Sequence, residues 1–166
     1  MGKISFNNKY LMRIILAAIA AVIVAGIVIG TRAVVTVVKR NTDIREIEKK
    51  YPDAVITPSG LRYIVLEEGN GPKPLQGRPV RVNYKGSLLS GREFDNTDNE
   101  GRPLEFDIGV GQVIRGFDEA VIEMREGERR LLIIPPELGY GKRSVGNGII
   151  PANSFLIFEL ELFRVR

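Results

Sequence analysis

Residues 104–124 read "LEFDIGVGQVIRGFDEAVIEM". The opening "LEFDIG" is a strand-like run, glycines at Gly109, Gly111 and Gly116 punctuate the middle, and Phe117, Val121 and Met124 then recur at helical spacing. Gly127 is a plausible stop for that helix. Val113 and Ile114 precede Gly116 and Phe117 follows it, so apolar side chains bracket a glycine where a loop becomes a helix. No nucleophile stands nearby.

Outward from this stretch the pattern is β. "LRYIVLEEG" (61–69) and "RPVRVNYKG" (78–86) alternate in the strand sense, with Val80, Val82 and Tyr84 on one face and Arg81, Asn83 and Lys85 on the other. "GPKPLQG" between them is turn chemistry. "ERRLLIIP" and "SFLIFELELFRV" read as two more strands, the second alternating Leu156, Phe158, Leu160 and Leu162 with Ile157, Glu159 and Glu161. Strands gathered around one helix imply an α+β domain in which a sheet covers that helix. With 166 residues, 44% of them apolar, the chain can bury one sizeable core and carry something extra.

The extra piece comes first. From Ile14 to Thr31, "IILAAIAAVIVAGIVIGT" is 18 residues without a charge between Arg13 and Arg32. As a helix at ~1.5 Å per residue it covers about 27 Å, close to the ~30 Å hydrocarbon core of a bilayer. If Arg32 snorkels, "AVVTVV" extends the span to Val38. A membrane anchor, a cleaved signal peptide and a buried core helix compete here. The run exceeds the about 7–15 apolar residues of a signal peptide, and "TRA" is a poor cleavage site, which favours the anchor. The expected order is a basic tail (1–13), a single-pass anchor in lipid (14–38), a linker (39–56) and a globular domain (57–166). Within the linker, Ile44, Ile47 and Tyr51 predict a short amphipathic helix capped by Thr42 or Asp43 and ended before Pro52.

The net charge of +4 raises the question of nucleic acid, and its distribution answers it. Nine of the 24 Lys/Arg but only three of the 20 Asp/Glu lie in residues 1–50, leaving residues 51–166 with a net of −2. The basicity flanks the apolar segment, where it can meet lipid headgroups, and the globular part has no footprint for a phosphate backbone. Basic residues on both sides of the span leave orientation weakly set; a first helix usually dominates, which places the N-terminus inside and the domain outside the cytoplasm. With no His and no Cys, disulfides, Ser-His-Asp and Cys-His nucleophiles and the usual zinc sets are excluded. The glycines of "GVGQVIRG" fit neither the dinucleotide nor the P-loop pattern. No cofactor or metal is expected. The acids Asp95, Asp98, Glu100, Glu105 and Asp107 lack EF-hand spacing and read as a solvated edge.

What remains is a supply of apolar and aromatic residues near turns, each of which taken singly is a core residue. Four motifs in series, "VNYKGSLLSGREFDNT", "PLEFDIGVGQVIRGFDEAVIEM", "GERRLLIIPPELGYG" and "GIIPANSFLIFELEL", resemble in order and spacing the FKBP-type peptidyl-prolyl cis-trans isomerases. The resemblance spans about Thr57 to Arg166 and says nothing about residues 1–50. It implies an antiparallel half-barrel of five or six strands wrapped around a short helix, with a proline pocket between them. By position it implies catalytic roles for Tyr84, Phe94, Asp95, Ile114 and Tyr140, and an apolar lining of Phe106, Val113, Phe117, Ile149, Ile150 and Phe158. Phe117 stands where tryptophan is common in the family, Leu104 where an aromatic is frequent, and Glu100 where a basic residue is found. These departures bear on peptide preference and macrolide affinity.

The implied function is isomerisation of X–Pro bonds in unfolded or newly translocated polypeptides, with macrolides as inhibitors; the alternative is a non-catalytic proline-binding chaperone or tether. Amide rotation breaks resonance at a cost of ~20 kcal/mol but makes no bond to carbon, so the absence of a nucleophile is consistent with it.

Overall fold

A computed structural model describes residues 8–166, with side chains described from residue 28 onward. The chain divides into two compact units that part between Ile44 and Arg45. One helix, α1 (Asn8–Lys50), runs without a break through Thr42 and Asp43; its residues up to Ile44 fall in the first unit and those from Arg45 in the second. The expected cap at those residues therefore does not form. Thr42 Oγ1 instead donates back to Val38 O at 3.0 Å, a bond made inside a helix rather than at its start. The helix does end before Pro52. The expected basic tail and most of the expected anchor, through residue 27, lie outside the described side chains. Among the described residues, no helix is long and apolar enough to cross a membrane.

The second unit is an antiparallel sheet of seven strands: β1 (Val55–Ile56), β2 (Arg62–Glu67), β3 (Pro79–Leu88), β4 (Glu93–Asn96), β5 (Leu104–Asp107), β6 (Arg129–Ile134) and β7 (Leu156–Val165). Their order is β1-β2-β6-β7-β3-β4, with β5 also on β3. Because β7 pairs with β3 from Val80 to Leu88, β4 (on Lys85–Ser87) and β5 (on Pro79–Val82) share the opposite edge. Seven segments thus occupy six positions across the sheet. The sequence reading missed β1 and β4, which are too short to show alternation. It also missed α2 (Thr97–Glu100), the single turn between β4 and β5 that Asn96 caps by accepting from Asp98 N at 2.9 Å.

The inner face of the sheet wraps helix α3 (Arg115–Val121). Val80, Val82, Leu132, Ile134, Leu156, Phe158, Leu160 and Leu162 alternate inward and meet Phe117, Ala120 and Val121 in one buried cluster. Gly116 sets how closely the helix approaches: a Cβ there would lie 2.6 Å from Ile134 Cγ2. The helix is shorter than its apolar spacing implies. After Val121 the chain tightens, Glu123 N donating to Ala120 O and Met124 N to Val121 O, so Met124 is buried from a turn.

β6 is buried from Arg130 to Ile134, which requires cover on both faces. Leu131, Ile133 and Ile157 point outward yet are buried. The end of α1 supplies part of that cover, since Ile47 is fully buried and Glu48 lies 4.0 Å from Arg62, the partner of Ile133 in the ladder.

Candidate active site

The site begins where β3 and β7 cross. Gly86 and Phe158 are paired across these strands, and a Cβ on Gly86 would come within 2.7 Å of both Phe158 and Phe94. Removing that atom lets the two rings pack edge to face, with centroids 5.5 Å apart. Phe158 is the hub of the set. Phe117, from the first turn of α3, meets it at 4.7 Å and 80°, and Tyr84 meets it at 5.7 Å and 73°. Tyr84 and Phe117 close the group at 5.5 Å and 88°. Such T-shaped contacts contribute roughly 0.5–1.5 kcal/mol each beyond burial and fix ring orientation.

Two polar side chains hold this frame through the main chain. Thr97, buried at 4% exposure, bonds both main-chain groups of Tyr84: its Oγ1 accepts from Tyr84 N at 3.0 Å and donates to Tyr84 O at 3.2 Å. It completes the edge of β3 where β4 has ended. Asp118 accepts from Gly109 N and Gly111 N at 2.9 Å each, clamping a loop that needs φ of 75° and 79° at those glycines. The clamped loop delivers Val113 and Ile114 to the mouth of α3.

Between sheet, loop and helix lies a cavity of about 570 Å³. Its lining comprises Tyr84, Phe94, Asp95, Leu104, Gln112, Val113, Ile114, Arg115, Phe117, Gly139, Tyr140, Arg143 and Phe158. Most of this wall is apolar, and its polar groups fall into two classes. Tyr84 Oη donates to Asp95 Oδ2 at 2.6 Å, while Asp95 Oδ1 accepts from Asn96 N at 2.9 Å. Burial and that carboxylate raise the Tyr84 phenol well above 10.0. By contrast, the Tyr140 hydroxyl and the Ile114 N–H make no hydrogen bond among the described residues. Burial, with Asp95 nearby, also pushes the Tyr140 phenol up, so it is a neutral donor at physiological pH.

A model of the FKBP-type peptidyl-prolyl cis-trans isomerase family matches residues 71–163. This chain belongs to that family. Among relatives, it is 51% identical over 108 residues to "FK506-binding protein 1A" of Neurospora crassa, covering 64% of this chain and 89% of the relative. It is 40% identical over 116 residues to "Peptidyl-prolyl cis-trans isomerase FKBP13, chloroplastic" of Arabidopsis thaliana, covering 64% and 56%. The crystal structure of FkpA from Escherichia coli superposes with a TM-score of 0.69 at 33% identity, covering 96% of this chain and 73% of that one. The chain is accordingly a peptidyl-prolyl cis-trans isomerase.

The FKBP-type cavity brings together Tyr84, Phe94, Asp95, Val113, Ile114, Phe117, Tyr140 and Phe158 from the residues expected at the site. It does not include three others. Phe106, on β5, pairs with Val80 of β3 and is buried in the core, and Ile150 is buried in the same cluster. Ile149 is 48% exposed, at the tip of the 145–150 hairpin, with its carbonyl accepting from Arg92 Nη2. Leu104, Gln112, Arg115, Gly139 and Arg143 line the cavity without having been singled out as site residues. Gln112 and Arg115 immediately flank Val113 and Ile114, the one signal in the sequence that could have found them.

Proposed function

We propose that the cavity turns X–Pro bonds by holding the proline ring dry between Phe94, Val113, Phe117 and Phe158 while the Tyr140 hydroxyl and the Ile114 N–H take flanking carbonyls. The observation that carries this is the pairing of an apolar wall with the Tyr140 hydroxyl and the Ile114 N–H, neither of which is hydrogen-bonded among the described residues. A twisted amide has less charge separation than a planar one, so a cavity without water penalises it less. Interactions that favour the twisted over the planar form are the ones that raise the rate. Lowering a step of about 100 s to a millisecond needs roughly 7 kcal/mol. One neutral hydrogen bond contributes about 0.5–1.5 kcal/mol, so the two donors assist and the apolar enclosure provides most of the effect. Tyr84 and Asp95, bound to each other, act as a rigid wall.

The Neurospora relative is named for binding FK506. The same apolar enclosure supports macrolide binding here, with Phe117 offering a ring but no indole N–H beneath the ligand. Exchange NMR of a prolyl peptide with the full-length chain tests both points. Faster cis–trans exchange, slowed by the macrolide, is expected; binding of the peptide without acceleration would refute the catalytic reading.

Residues 14–38 fit a single-pass anchor, residues 39–56 a linker and residues 57–166 the catalytic domain. The uncharged run from Ile14 to Thr31 and the basic residues on both sides of it support this division. The clients are then unfolded or newly translocated chains outside the cytoplasm. Protease added to intact spheroplasts should digest the domain, and protection until lysis would reverse the orientation.

A further inference from the structure

Arg115 and Arg143 both line the cavity, both are exposed, and neither makes an ion pair among the described residues. Ion pairing divides the unit's arginines: Arg81 is paired with Glu105, Arg129 with Glu67 and Arg164 with Glu126, while Arg78 and Arg102, like Arg115 and Arg143, make no ion pair among the described residues. The two charges at the cavity do not follow from a basic domain, because residues 51–166 carry a net of −2. Asp95 is the one carboxylate of the lining, and its oxygens are taken by Tyr84 Oη and Asn96 N rather than by either arginine. The charge on Arg143 also reaches the interior, since it opposes the upward push on the Tyr140 phenol. The apolar enclosure therefore opens through a mouth with a local excess of positive charge.

We infer that Arg115 and Arg143 select prolyl substrates that carry a carboxylate side chain within a residue or two of the proline. The inference rests on the catalytic reading of the cavity. A peptide whose ring sits against Phe158 must leave past the rim, where the guanidinium groups meet its flanking side chains. Contacts between exposed charges are weak, so a preference of about two- to fivefold per arginine is expected. Such a contact is the same for the planar and twisted amide, so it changes KM and leaves kcat nearly constant. Salt should screen it, the Debye length being about 10 Å at 0.1 M.

The test uses the full-length chain in non-ionic detergent and peptides identical except for Glu, Gln or Lys beside the X–Pro pair. At low salt, kcat/KM should fall in the order Glu, Gln, Lys, over about tenfold, through KM, and the spread should collapse in molar salt. The R115E/R143E variant should reverse the order. An order that survives this reversal, or Lys peptides matching Glu peptides in the unaltered chain, would overturn the inference. Should the variant not fold, the salt series of the unaltered chain decides: a ranking insensitive to salt overturns it. Turnover of the Gln peptide separates the two levels. If it is turned over with no ranking by charge, the inference alone fails; if it is not turned over, the catalytic reading fails and takes the inference with it.

Discussion

The start of β6 and the mouth of the cavity treat polar groups in opposite ways. At the start of β6 Glu128, 3% exposed, accepts from Arg130 Nε at 2.5 Å and from Arg125 N at 2.9 Å, while the Arg130 guanidinium lies 4.6 Å over the Tyr63 ring. Each partner there is satisfied by another part of the same chain. At the mouth, Tyr140, Ile114, Arg115 and Arg143 present groups with no internal partner among the described residues. Folding explains the first arrangement, because a buried charge without a partner costs several kcal/mol. It does not require the second, whose groups remain free to meet solvent or an entering peptide.

The contrast can be broken at either end. The largest effect is expected at the start of β6: Arg130→Met leaves Glu128 buried with one main-chain donor and should cost about 3–5 kcal/mol in urea unfolding. Turnover per folded molecule should stay near that of the unaltered chain. A loss of activity in the folded fraction would show that the two ends are coupled.

Tyr140→Phe should do the reverse. It removes an unengaged hydroxyl, so stability should move by less than about 0.5 kcal/mol. Turnover of a prolyl peptide should fall about tenfold or less, the effect of one hydrogen bond. A drop of four decades would mean that the donor, rather than the enclosure, carries the reaction.

The smallest effect is a pH dependence. The folded chain holds the Tyr84 and Tyr140 protons more tightly than free tyrosine, whose value is 10.0. Because the folded value is raised, the stabilisation is complete below pH 10 and is lost as pH rises above it, where the unfolded chain releases its protons first. Urea midpoints measured at pH 9 and pH 11 should therefore differ less in Tyr84→Phe than in the unaltered chain; an equal difference would contradict the upward shift of the Tyr84 phenol by burial and the Asp95 bond.

How much of this was legible in the sequence depended on pattern length. β3 and β7 announce themselves through alternation over Val80–Lys85 and Leu156–Leu162, and the start of α3 through the spacing of Phe117 and Val121. Its end was not legible, because Met124 reaches the core from a tight turn that mimics helical spacing. Aromatic type alone could not separate Phe106 from Phe94: register places one beside Val80 in the core and the other against Phe158. Thr97 and Asp118 hold the site through a pair of bonds each to the main chain, which leave no periodic trace. Arg115 and Arg143 read as ordinary surface charges until the cavity shows what lies beside them.

The central claim is that an apolar enclosure, with no covalent step, carries most of the rate. Turnover of a prolyl peptide by the Phe94→Ala, Asp95→Ala double variant, with retained fold checked by circular dichroism, tests it most directly. The account predicts a fall of about two decades or more, near 2.7 kcal/mol, well beyond the effect of Tyr140→Phe. Full activity in that variant would contradict it.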